Sequence, residues 1–282
     1  MQDKIRFGPA GNSDAFYEEG HKHTYEAPKW LAAMGLSAFE YSFGRGAKLK
    51  QETGEKIAGE AEKYGVQMSV HAPYYINLAN EKFEDNLRYF MESSLGARYL
   101  SADRVVFHPG AKGKLERETA ASLVKKNLQD ILAALKSEGY ADILYCAETM
   151  GKINQIGDLE EVCAFANLGE NVYPAIDFGH LNARTLGGIK SREDYAKILD
   201  TLKNKVGEEK YKNMHVHFSQ IQYTNSGEKM HLTFTDAEWG PFFGPLAELF
   251  AERGLTPRII CESKGTQAMD AVAMKEMYEA AL

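Results

Sequence analysis

The chain has 282 residues, with 33 Lys and Arg against 40 Asp and Glu, a formal net charge of −7. A hydrophobic content of 44% and a charged content of 26% are those of an ordinary globular protein and exclude a disordered or collagenous chain. The acidic balance argues against a general nucleic-acid coat, whose phosphate contacts need Lys and Arg, while leaving room for a local positive site.

No apolar run is long enough to span a bilayer, and the N-terminus has no charged-then-apolar leader pattern. Three cysteines, an odd number in a chain this long, do not make a disulfide framework. A reduced, cytoplasmic protein without membrane contact is the expectation. Neither a linker nor a fixed-period repeat interrupts the sequence, so residues 1–282 are expected to form one domain.

In chain order, short apolar strand candidates alternate with longer helical patterns. The first two strands are Ile5 to Gly8 and Ala38 to Tyr41, and a helix from about Leu49 to Tyr64 then stops at Gly65. The third strand, Met68 to Ala72, precedes a helix with Phe83, Leu87, Phe90 and Met91 on one stripe. The fourth is Arg104 to His108. After it Leu123, Val124, Leu128, Ile131, Leu132 and Leu135 share one face, and Gly139 ends the pattern. Ile143 to Glu148, Ala175 to Asp177, Met214 to Ser219 and Arg258 to Glu262 complete the set. Short, mostly apolar strands suit a parallel sheet covered on both faces. Eight strand–helix units in roughly 250 residues fit a closed (β/α)8 TIM barrel. An open dinucleotide-binding sheet would carry G-x-G-x-x-G in its first turn, and "RFGPAGNSD" does not.

The chemistry gathers where these strands end. His71 closes the third, His108 the fourth and Glu148 the fifth; Asp177 and His180 follow the sixth, His215 lies in the seventh, and Glu262 ends the eighth. In a barrel those ends meet at one mouth. Buried carboxylates need a compensating cation, few Lys or Arg lie near, and His with carboxylate suits Zn, Mn or Fe. His215 and His217 share one strand face because side chains alternate with period two. One of them suffices, and His215 is assigned. Cys146, Cys163 and Cys261 sit in apolar settings and read as core residues.

Taken in order, "HAPYYINLAN", "FHPG", "AET", D-x-x-H, "MHVHFS" and "CES" resemble the endonuclease IV family of abasic-site nucleases, within the wider xylose-isomerase-like TIM barrels. The resemblance implies up to three zinc ions: the first on His71, His108 and Glu148, and the second on Glu148, Asp177, His215 and Glu262. His180 and His231 would hold the third, with Glu148 and Glu262 as the catalytic carboxylates. The family pattern places an Asp two residues before the last His. Lys229 stands there, which leaves the third site short of a ligand unless Glu228 or water supplies it. The implied partner is duplex DNA with abasic sites, and no protein partner is implied. Tyr74 and Tyr75 match the family's DNA wedge, with aromatic rim packing as the other reading. Arg45, Arg184 and Lys264 lie in strand-end loops where phosphates would pass.

The same superfamily contains single-metal sugar isomerases and epimerases, for which Glu148, Asp177, His215 and Glu262 alone are the ligand set. Three carboxylates with one divalent ion keep a single negative charge, suited to a neutral sugar; with two ions the mouth becomes positive and attracts a phosphodiester. His71 and His108 are ligands beyond what one ion needs. They favour at least two metals and metal-assisted phosphodiester hydrolysis, read as abasic-site endonuclease activity in DNA repair.

Overall fold

The computed structural model describes residues 4–44, 46–236 and 238–282. Eight short strands build one parallel sheet: β1 (Arg6–Pro9), β2 (Ala38–Ser42), β3 (Gln67–His71), β4 (Arg104–Phe107), β5 (Leu144–Glu148), β6 (Val172–Asp177), β7 (His215–Phe218) and β8 (Arg258–Cys261). Their spatial order is β1-β8-β7-β6-β5-β4-β3-β2, the cyclic order of a TIM barrel. β1 and β2 bring the ring nearly to closure through an isolated parallel bridge between Ala10 and Glu40. Glycine is required at this seam, because a Cβ on Gly8 would lie 1.7 Å from the Ala38 carbonyl oxygen.

Helices cover the outside, among them Gln51–Tyr64, Phe83–Tyr99, Arg117–Ser137 and Gln267–Ala280. The first ends as expected, with Gly65 left-handed at φ 69°. No helix among the described residues is long and apolar enough to cross a membrane. The main core lies between sheet and helices, where Phe39, Val105, Phe107, Val216 and Ile259 meet Ile57, Phe90, Leu128, Leu199 and Phe250.

Strand alternation sends the other side chains into the barrel. There only Val106, Cys146, Tyr173 and Ala175, with Leu144 against them, form an apolar cluster. Many of the other inward positions are polar, namely Glu40, Ser69, Arg104, His215, His217 and Arg258, all buried, with Ala38 and Ile260 as apolar breaks among them. Bulky aliphatic layers are the usual filling. Arg258 plugs the N-terminal end, donating to both carboxylate oxygens of Asp103 at 2.6 and 3.0 Å, to Gln67 at 2.7 Å and to the Met68 carbonyl at 3.0 Å. The three cysteines are free and buried, and burial pushes each thiol up to about 12.

Candidate metal centre at the barrel mouth

Glu148, the last residue of β5, is the hub of the mouth. Its Oε2 lies 3.1 Å from His71 Nε2 and 3.0 Å from His108 Nε2. Its Oε1 lies 3.2 Å from both His180 Nδ1 and His217 Nδ1. Glu148, Asp177, His217 and Glu262 each offer a ligand atom within 4.8 Å of the others, as do His71, Glu148 and His217.

The expected member from β7 was His215, and the structure brings His217 instead. Both point inward, but register decides their depth. His217 is level with Asp177, the last residue of β6, whereas His215 pairs with Ala175 one layer down. His215 therefore faces Glu40, with its Nε2 at 3.0 Å from Glu40 Oε2. Glu40 was not singled out from the sequence, although a lone carboxylate at an inward position of an apolar strand was the available signal.

A third group contains His180, Glu228 and His231, again within 4.8 Å of one another. The last two lie on a hairpin after β7, Ile221–Thr224 paired antiparallel with Gly227–His231. Gln222 pairs with Met230 and Tyr223 with Glu228, so Lys229 is the unpaired residue of a bulge. In a regular strand residues 229 and 231 would share a face. The bulge turns Lys229 out to solvent and Glu228 in toward His180, whose Nε2 is 3.5 Å from Glu228 Oε2. Of the two ways of completing this group, Glu228 is the one the geometry provides. Gly151 makes room for it, since a Cβ there would come within 2.9 Å of both Glu228 Oε2 and His180 Cδ2.

The donor chemistry fits divalent metal. Asp177 Oδ2 is buried without a hydrogen-bond partner. The Ala72 carbonyl lies 2.8 Å from His71 Nδ1, and that of Thr149 2.9 Å from His180 Nδ1. Each carbonyl takes the proton of Nδ1 and leaves Nε2 as the free lone pair, a common outer-shell arrangement around ligating imidazoles. Burial, with Glu262 and Glu148 nearby, raises Asp177 to about 6 against the pull of His180. Burial also opposes charge on His71, but the hydrogen bond and charge of Glu148 outweigh it and raise this imidazole to about 9. Burial likewise disfavours charge on Glu148, yet His108 and His217 hold it well below the usual carboxylate range. The carboxylates thus favour protons on His71, His180 and His217 when no metal ion is bound.

A cavity of about 330 Å³ opens above these groups, lined by His71, Tyr74, His108, Glu228, His231 and Glu262 among others. Among its described lining residues Lys152 alone carries a fixed positive charge. Tyr74 is 56% exposed at the rim, whereas Tyr75, at 39%, packs edge-on against Tyr89 with ring centroids 4.7 Å apart. Tyr74 is the free aromatic and Tyr75 its support. Arg184 does not face the cavity as a phosphate contact. Its guanidinium donates to the carbonyls of Met150, Lys152, Ile153 and Gln155 at 2.9–3.4 Å and so holds the loop after β5. Lys264 is exposed, and Arg45 lies outside the described residues.

Residues 28–280 match a family model described as a xylose isomerase-like TIM barrel. An uncharacterized protein of Methanocaldococcus jannaschii is 32% identical over 279 residues, 96% of each chain. A probable endonuclease 4 of Staphylococcus carnosus is 26% identical over 169 residues, 56% of this chain and 54% of that protein. Endonuclease IV from Thermus thermophilus superposes over 98% of each chain with a TM-score of 0.72 and 21% identity. A D-tagatose 3-epimerase-like protein superposes over 98% of this chain and 97% of its own, also with a TM-score of 0.72, at 20% identity. Identities this low establish a shared fold and do not separate nuclease from epimerase.

Proposed function

Because the chain belongs to the family of xylose isomerase-like TIM barrels, we propose that it is a metal-dependent phosphodiesterase that incises duplex DNA at abasic sites. One observation carries this reading. Donors lie on both sides of the Glu148, Asp177, His217 and Glu262 set: His71 and His108 on one, and His180, Glu228 and His231 on the other. A site for one ion and a neutral sugar has no use for five further ligands.

Zinc-type ions held by these residues would lower the pKa of a water from about 15.7 toward about 7 and offset charge on the phosphate oxygens. Glu148 supplies the central negative charge, and its four imidazole neighbours fix its position. Glu262 lines the cavity and would take a proton from an attacking water. Phosphate attraction then comes from the loaded mouth and not from a basic surface, so the dependence on salt should be shallow for a DNA-binding protein. Tyr74 at the rim is available to fill the gap left by a missing base.

The decisive experiment uses a labelled duplex with one abasic analogue and an undamaged control, with zinc and then manganese. Expected is incision 5′ to the abasic position, leaving a 3′ hydroxyl, and a loss of at least about 100-fold in Glu148→Gln with the fold retained. Absence of incision with either metal, together with epimerisation of a ketohexose, would overturn the assignment.

A further inference from the structure

Beneath the mouth a second set of donors converges inside the barrel. Glu40 Oε2 is 3.0 Å from His215 Nε2, and Glu40 Oε1 is 2.9 Å from His217 Nε2. All three residues are fully buried. Neither close approach is a directed hydrogen bond: Glu40 Oε1, both ring nitrogens of His215 and His217 Nε2 lack hydrogen-bond partners. Unpartnered polar atoms at this depth are unfavourable. Separations near 3 Å between nitrogen and oxygen atoms that do not point at one another are those of ligands about 2.0–2.2 Å from one ion.

We propose that Glu40, His215 and His217 hold a divalent transition-metal ion of their own, below the mouth. It is distinct from any ion bound by the mouth because His217 uses opposite ring edges. Its Nδ1 faces Glu148 at 3.2 Å and Glu262 at 3.5 Å, while its Nε2 faces Glu40. One ion cannot occupy both edges. With both sides filled, His217 bridges two metals as an imidazolate, and its remaining N–H proton passes to solvent. The Glu40 carboxylate and a share of the imidazolate charge then offset most of the inner dication's charge. Ser69 Oγ donates to Glu40 Oε2 at 2.9 Å and orients the carboxylate. A cavity of about 210 Å³ lined by Glu40, Ser42, His71 and Gln267 gives an ion a path inward. Imidazole with carboxylate selects zinc or a neighbouring first-row metal over magnesium or calcium.

This site makes no claim about substrate and is read by metal alone. The full chain is stripped with chelator, saturated with zinc and crystallised for anomalous diffraction at the zinc edge. A peak bonded to Glu40, His215 Nε2 and His217 Nε2 is expected. Elemental analysis should show one zinc fewer in His215→Gln than in the wild type, while Glu262→Gln keeps the inner peak. Should His215→Gln fail to fold, the wild-type map decides. No peak there at saturating zinc, or equal zinc content in a folded His215→Gln, overturns the proposal and makes Glu40 a plain acceptor. An inner peak with an empty mouth would instead support this site and remove the phosphodiesterase reading.

Discussion

Asp177 shows how a residue suited to metal strains the protein that lacks it. Its carboxyl is raised to about 6, first by burial, against about 3.9 in an unfolded chain. The native state then binds the proton more tightly, so this group's contribution to stability is present below about pH 4 and is lost as pH rises through 6. Asp177→Asn should stabilise the metal-free protein at pH 8 by up to about 3 kcal/mol, because an amide does not ionise and still accepts the His180 N–H that caps the following helix. The same variant should bind zinc more weakly. Denaturant midpoints with chelator and with zinc should move in opposite directions, and parallel shifts would deny Asp177 a ligand role. At the rim, Tyr74→Ala should weaken abasic-duplex binding roughly tenfold, as expected for a lost stacking group. Hydrolysis of a small phosphodiester should be unchanged, and an equal loss on both substrates would make Tyr74 a structural residue.

The hairpin after β7 is the element on which the third donor group depends. Its bulge absorbs Lys229 as one extra residue and sets Glu228 and His231 on the same side. Glu228→Ala should therefore remove one zinc per chain, while Lys229→Ala should remove none, both measured by elemental analysis. Deleting Lys229 is the more searching test. It leaves Glu228 two residues from the last histidine, a spacing that a regular strand places on one face. Zinc content should survive the deletion, and its loss would show that the bulge does more than accommodate an inserted residue.

Across the whole molecule, a polar column runs along the barrel axis, from the arginines at the N-terminal end through Glu40, His215 and His217 to Glu148 at the mouth. The apolar core between sheet and helices holds the fold, leaving the interior free to carry charge. Burial brings Arg104 down to about 10, so it stays cationic at neutral pH. Burial holds His215 at about 4, so it stays neutral, whereas at His217 burial is outweighed by Glu262, Glu40 and Glu148, which raise it. His71, raised to about 9, adds stability that is complete below about pH 6.5 and lost as pH rises through 9. The chelated protein should accordingly melt at lower temperature at pH 9 than at pH 6.5. Zinc needs neutral imidazoles, so its stabilising effect should grow over the same interval. A melting temperature independent of pH in chelator would mean that Glu148 and His71 do not interact as placed.

Much of this was legible in the sequence because it is periodic and local. Alternating short apolar runs and helical stripes marked the eight strands, with the sixth beginning earlier than expected because Pro174 interrupts its apolar run. The acidic and imidazole groups at consecutive strand ends pointed to one mouth on pattern alone. Periodicity of two assigns a face, however, and not a depth. His215 and His217 are equivalent by pattern, and only their register against β6 lifts His217 to the level of Asp177 and leaves His215 beside Glu40. The bulge at Lys229 breaks that periodicity and exchanges it for Glu228, an outcome set by pairing across the hairpin. Arg184 looked free in a strand-end loop, yet carbonyls about 30 residues away in sequence occupy it. Side-chain type and strand alternation are written in the chain itself, whereas depth along the barrel axis and the partner of each buried charge depend on contacts between distant segments, which exist only once the barrel has closed.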